Sequence, residues 1–207
     1  MPRRKTSPRI SRFYRRIGQK GWGGCDYFTF SVRSPELRRW IAAQLPAGRT
    51  TVLSIGCGTG ELEAHLAARR HRIVGIDLSE AMLRRARGGG LRHAAAADSR
   101  ALPFRAGRFD AVLFMESIGY LALRAAFAEA ARVLRRRGRI LVTTYSGEVV
   151  PHEGYAKVTS RRIATALAAA GLEVKEQRYL RATRRSVVEV PSESGSTLLY
   201  LVAGKPR

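Results

Sequence analysis

Val52-Leu53-Ser54-Ile55-Gly56-Cys57-Gly58-Thr59-Gly60 joins a short apolar run to three glycines at alternate positions. Thr51 to Ile55 reads as a first strand and Glu61 to Arg69 has helical spacing, so the glycines fall at a strand-to-helix turn. Glycine at such a turn lets backbone approach a ligand closely, because no Cβ intervenes and unusual dihedrals are tolerated. The spacing also excludes two nucleotide motifs. A dinucleotide fingerprint needs G-x-G-x-x-G, but after Gly56 and Gly58 the third glycine comes at Gly60 and Glu61 stands in the required place. A phosphate loop needs Gly-Lys-Ser/Thr, which does not follow.

Outward from this turn, short apolar runs alternate with helix-period segments, the pattern of βαβ units around a parallel sheet. Arg72 to Ile76 is a second strand leading into Asp77, and a helix from about Ser79 to Arg87 ends at Gly88-Gly89-Gly90. Leu91 to Ala97 is read as a third strand, Phe109 to Met115 as a buried fourth, and Ala122 to Arg135 as a helix. Arg139 to Thr144 is a fifth strand and Thr159 to Ala170 a helix closed by Gly171. Val174 to Leu180 and Thr197 to Ala203 complete seven strands. Asp77 lies about 20 residues beyond the first glycine, where α/β nucleotide folds set an acid against ribose hydroxyls.

The chain has 207 residues, 45% of them hydrophobic, enough for one domain with a full core. No uncharged apolar run of about 18 residues occurs, so a transmembrane segment is not expected. Cys57 sits in the glycine turn, where a disulfide to Cys25 would distort the backbone, which fits a reducing, cytoplasmic setting. The formal charge of +22 attracts polyanions at long range, although arginine and alanine enrichment also follows from GC-rich coding. Residues 1–20 hold eight Lys and Arg and no acid, and Ile10, Phe13, Tyr14 and Ile17 share one helical face. A transit peptide has the same composition. The expected reading is a retained N-terminal helical lid or cap over residues 1–48, followed by a binding domain over 49–207.

Val52 to Glu63, Val74 to Arg87, Ala97-Asp98-Ser99, Phe109 to Leu121 and Ala131 to Thr144 resemble the successive motifs of the class I S-adenosylmethionine-dependent methyltransferases, in particular the small-molecule, quinone-biosynthesis group. The resemblance implies an α/β, doubly wound, Rossmann-like sheet of seven strands, mostly parallel with an antiparallel last strand. It implies S-adenosyl-L-methionine as cofactor, with Gly56, Cys57, Gly58 and Gly60 lining its methionine and ribose portions and Asp77 accepting both ribose hydroxyls. Leu78 and Met82 would pack near the adenine, Asp98 would accept from its amino group beside the Ser99 amide, and Met115 and Glu116 would border the sulfonium. One departure stands out. The family usually has an acid where this chain has Ser54; Glu61 is one residue that can compensate, and equally it is an ordinary acid in a helix's first turn.

Glu116, His152 and Glu153 are the candidate general bases, and no metal ligands are expected. Tyr120, Tyr145, Tyr155, Phe13 and Tyr14 are candidates for an aromatic wall over the acceptor or for packing of the same edge. The base-amine methylating subset has Asn/Asp-Pro-Pro-Tyr after the fourth strand, whereas this chain reads Met115-Glu116-Ser117-Ile118. Arg69-Arg70, Arg84, Arg85, Arg87 and Arg135-Arg136-Arg137 are expected at helix C-termini, on the edge away from the cofactor. The leading expectation is methylation of a small-molecule or lipid-like acceptor at oxygen or carbon; the rivals are an RNA methyltransferase and a non-catalytic binding protein of the same fold.

Overall fold

In chain order the elements are α1 (Pro35–Gln44), β1 (Thr51–Ile55), α2 (Glu61–Ala67), β2 (Arg72–Asp77), α3 (Glu80–Gly88), β3 (Ala94–Ala96), β4 (Phe109–Met115), α4 (Leu123–Val133), β5 (Leu134–Tyr145), α5 (Ser160–Ala168), β6 (Glu173–Ala182), β7 (Val187–Val190) and β8 (Leu198–Gly204). They come from a computed structural model that describes residues 34–69, 71–147, 155–182 and 187–206. The expected N-terminal helix with Ile10, Phe13, Tyr14 and Ile17 lies outside the described residues, as do Cys25, His152, Glu153 and Arg70.

The strands form one sheet in the order β3-β2-β1-β4-β5-β8-β6-β7. β1 pairs in parallel with β2 and β4, setting Val52 beside Ile73 and Ala111. β8 runs antiparallel between β5 and β6, which makes it the antiparallel last strand expected from the sequence. The expected count of seven is one short. Val187–Val190 folds back on β6, with Val190 opposite Tyr179, and adds an eighth strand.

Alternation along β1 divides the core. Leu53 and Ile55 face α4 and α5, packing with Phe127, Ala130, Ile163 and Ala166. Val52 faces the other way, with Leu37 and Ile41 of α1, Leu62 and Leu66 of α2, and Leu83 and Ala86 of α3. Helices therefore cover both faces, as a mostly parallel sheet buried on both sides requires. Although α1 lies within the segment expected to form a cap, its Leu37 and Ile41 are built into this core. Helix starts follow local chemistry: Ser34 accepts from the Leu37 amide ahead of Pro35, Ser79 from Met82, and Thr159 from Arg162.

The boundary between α4 and β5 differs from the sequence reading. The helix stops at Val133, and Leu134 pairs with Phe109 before Arg139 pairs with Ala111. Six residues of β5 thus span what three span on β4, and Arg135, Arg136 and Arg137 stand in a β-bulge rather than on a helix end. Arg135 pairs with Asp110, whose other oxygen accepts from the Thr51 amide at 2.8 Å.

Candidate functional site

The ends of β1, β2 and β4 bring Gly56, Asp77 and Glu116 to one edge of the sheet. There the Gly56 and Cys57 amides both donate to the Ile76 carbonyl, at 2.8 and 3.0 Å, which turns the chain sharply beside β2. Each glycine answers a different demand. A Cβ on Gly56 would lie 2.6 Å from Ser117 Cβ, and one on Gly60 would lie 2.8 Å from Ala86 Cβ. Gly58, with φ of 54°, has nothing within 4 Å of its Cβ position, so the turn is tight on two sides and open on the third. An open backbone face beside two closed ones is the shape a ligand-cradling turn needs.

Asp77 holds that turn. Its carboxylate accepts from the Gly58 amide at 3.0 Å and from the Ser79 amide at 2.8 Å. Desolvation raises its pKa, opposed by the Ser79, Gly58 and Leu78 amides that favour the charged form. Leu78 next to it is 63% exposed, while Met82 is buried inside α3. Past β3, Asp98 is gripped by Arg100, whose guanidinium reaches both carboxylate oxygens at 2.6 to 3.0 Å, and Ser99 is buried. Arg100 therefore competes for the oxygens assigned to the adenine amino group.

Ser54 does have an acidic partner, and it is Glu63 rather than Glu61. The Ser54 hydroxyl donates to Glu63 Oε1 at 2.6 Å, and Glu63 is only 3% exposed. Burial, joined by the Asp77 and Glu61 charges, pushes its carboxyl up to about 7 against the Ser54 and backbone hydrogen bonds that pull it down. The signal was present in the strand's parity, since Ser54 shares the face of Val52, which packs on α2. Cys57 lies in the same field; burial first, then Glu63 and Asp77, hold its thiol well above the usual range and therefore neutral.

At the end of β4, Glu116 is buried and takes a φ of 52°, the one left-handed non-glycine among the described residues. Its Oε2 accepts from the Tyr145 hydroxyl at 2.6 Å. Tyr145 and Tyr120 both meet Tyr155 edge to face, with ring centroids 5.4 and 4.9 Å away, and the Tyr155 hydroxyl bonds Thr144 at 2.6 Å. Burial, then the Glu116 charge, raises the Tyr145 phenol. The side chain of Ser117, which the sequence did not single out, donates to the Ile55 carbonyl at 2.7 Å and fixes the end of β4 against the glycine turn. Met115 is buried, with Thr143 Oγ1 3.6 Å from its sulfur.

Residues 53–142 match the family model described as a methyltransferase domain. The chain is 33% identical over 144 residues to phosphatidylethanolamine N-methyltransferase of Cereibacter sphaeroides, covering 66% of this chain and 68% of that one. It belongs to the class I S-adenosylmethionine-dependent methyltransferases. Its cofactor is S-adenosyl-L-methionine. The methyltransferase is also 30% identical over 164 residues to demethylmenaquinone methyltransferase of Clavibacter sepedonicus, covering 77% of this chain and 59% of that relative. Against two other curated relatives it spans 53% and 39% of their length. In fold it is similar to a TehB-like S-adenosylmethionine-dependent methyltransferase from Corynebacterium glutamicum, with a TM-score of 0.68 at 21% identity over 97% of this chain and all of that one.

Two facts bound the site. Among the described residues no helix is long and apolar enough to cross a membrane, and no group of three His, Cys, Asp or Glu is placed to hold a metal ion. At the opposite edge, the β5 bulge and the end of β8 line a cleft of about 990 Å³ with Arg136, Arg137, Arg139, Lys175 and Lys205. Part of that charge is engaged: Lys175 pairs with Glu173, and Arg139 donates to the Gln44 carbonyl and side chain.

Proposed function

We propose that this methyltransferase methylates an oxygen or carbon of a small-molecule or lipid-like acceptor, with Glu116 as the base at the acceptor side. The observation that carries the reading is the buried Glu116, strained at φ 52° and fixed by the Tyr145 hydroxyl, at the β4 end that Ser117 ties to the glycine turn. When bound, the cofactor supplies a methyl group on cationic sulfur, displaced in line onto the acceptor. Gly56, Cys57, Gly58 and Gly60 bind its methionine and ribose portions, and Asp77, already fixed to Gly58, takes the ribose diol. Leu78, Met82, Asp98 and Ser99 surround the adenine; Asp98 serves there with the oxygen lone pairs that Arg100 leaves. Met115 and Glu116 border the reacting carbon. As the acceptor's O–H or C–H gains its methyl group, Glu116 takes the proton, and the Tyr120, Tyr145 and Tyr155 rings exclude water. His152 is the alternative base.

The proposal keeps the division into residues 1–48 and a transferase domain of 49–207, with α1 built into the core and only the part of 1–48 ahead of it left to act as a cap, and includes a reducing cytoplasmic location suited to the buried Cys57 thiol. RNA as acceptor draws its support from the +22 charge. An amine acceptor draws its support from the relative named for N-methylation. The deciding experiment supplies cofactor with a labelled methyl group and offers, separately, a lipid extract, a small-metabolite pool and total RNA. The expected result is label in a small or lipid-like product on oxygen or carbon, falling about 10²- to 10⁴-fold in Glu116→Gln with cofactor affinity retained. Label in RNA or on nitrogen overturns the acceptor assignment, and a loss in His152→Ala without one in Glu116→Gln overturns the base.

A further inference from the structure

We propose that the Ser54–Glu63 pair is the anionic counterpart of the cofactor's cationic methionine end, delivered from α2 rather than from the strand, so that cofactor binding expels a proton from Glu63. The inference rests on the reading of Gly56 to Gly60 as the cofactor turn. Glu63 sits behind that turn, on the β1 face that α2 covers, joined to Ser54 at 2.6 Å. Packing alone does not call for an acid there, since its neighbours Leu62 and Leu66 fill the same interface with hydrocarbon.

The surroundings suit a cation. The charged groups acting on Glu63 are Asp77 from β2 and Glu61 from its own helix, with the Cys57 thiol in the turn and the Ser54 hydroxyl on β1. None is basic, and among the described residues no Lys or Arg pairs with Glu63, in a chain whose formal charge is +22. Burial first, then the charges of the half-buried Asp77 and of Glu61, outweigh the Ser54 bond, so without a ligand Glu63 holds its proton up to about 7. A sulfonium and an ammonium at the turn reverse that balance. Glu63 then ionises, the proton leaves to solvent, and the Ser54 hydroxyl stays as a donor to the carboxylate.

The test is calorimetric titration of the intact chain with S-adenosylmethionine at pH 6.5, in two buffers of different ionisation enthalpy. Wild type is expected to release most of a proton per cofactor bound. Glu63→Gln is expected to release none and to bind about ten- to a hundredfold more weakly, the range for a hydrogen bond to a charged group. The cofactor's own amine titrates near 7.7 to 8, so it is about 95% protonated at pH 6.5 and can exchange at most about 0.05 proton in either protein, which leaves the difference to Glu63. Returning the acid to the strand, as Ser54→Asp with Glu63→Gln, should recover most of the affinity. Should Glu63→Gln fail to fold, Ser54→Ala removes only the donor and should move the midpoint of the affinity–pH curve upward. Wild-type binding with no buffer dependence, an unweakened Glu63→Gln, or an unmoved midpoint in Ser54→Ala each overturns the proposal. No binding by wild type instead refutes the turn as the cofactor site.

Discussion

A methyl group at Gly56 would meet two obstacles at once. The backbone there has a φ of 73°, and the new Cβ would press on Ser117 Cβ at 2.6 Å, straining the bond from Ser117 to the Ile55 carbonyl. Gly56→Ala should therefore cost at least about 1 to 3 kcal/mol in chemical denaturation, from the left-handed backbone alone. Gly58→Ala meets the same backbone penalty but no neighbour, so its additional effect should be on cofactor affinity. Asp77→Ala should weaken cofactor binding by about 1.5 to 3 kcal/mol and loosen the turn, because the Gly58 and Ser79 amides lose their acceptor. An unchanged dissociation constant in a folded Asp77→Ala would displace the ribose from this position. Asp77 was legible because an acid after the second strand at that spacing has a chemical use. Glu63 was legible only in part: strand parity sets Ser54 on the face of Val52, but in one dimension Glu63 is one of two acids in the first turn of a helix, and only the packing of α2 on β1 tells the buried one from the half-buried Glu61.

At the scale of elements, the three consecutive arginines after α4 changed meaning. The apolar period of Phe127, Ala130, Ala131 and Leu134 carries the helical pattern past Val133, and arginine is itself a good helix former, so sequence alone extends the helix. Pairing of Leu134 with Phe109 overrides this and lays Arg135, Arg136 and Arg137 along a bulge. The helix-dipole argument for their placement therefore falls away. Their distance from the cofactor edge does not change, since the bulge lies at the opposite end of β5 from Tyr145. Arg136→Gln with Arg137→Gln should leave the cofactor dissociation constant within about twofold and cost little stability, because neither residue has an ion-pair partner among the described residues. Arg135→Gln should cost up to about 1 kcal/mol, the usual ceiling for a partly exposed pair, here with Asp110. Denaturation curves with calorimetric titration check both. β1 and β4 were read to the residue, because a buried strand bounded by polar turns leaves little freedom in its limits; β7 was missed because two of its four residues are exposed, the other two only half-buried, and its pairing is a non-local fold-back.

For the molecule as a whole, the burial of Glu63 sets a direction for stability against pH. Its folded pKa, about 7, lies above the ordinary carboxyl value, so the stabilisation from keeping it protonated is complete below about 4.5 and is lost as pH rises through 7. Asp77 shifts the same way. The cofactor-free protein should thus lose on the order of 3 kcal/mol between pH 5 and pH 8 relative to Glu63→Gln, read as diverging unfolding free energies. Parallel curves would show that Glu63 titrates normally. The +22 charge acts alongside it: raising salt from about 0.05 to 0.5 M shortens the Debye length and should raise the melting temperature of both proteins equally.

The sheet's two outermost members are its shortest, three residues at Ala94–Ala96 and four at Val187–Val190. A long exposed border of unpaired amides and carbonyls invites a neighbouring molecule to continue the ladder, and natural proteins avoid this by cutting the border short. Here the long strands β4, β5 and β8 are shielded on both flanks, and the Glu173–Arg178 border of β6 that β7 does not cover carries the charged Glu173, Lys175, Glu176 and Arg178, which deter a continuing ladder. Crowded molecules are thus discouraged from zipping together edge to edge, whatever the screening of their mutual repulsion.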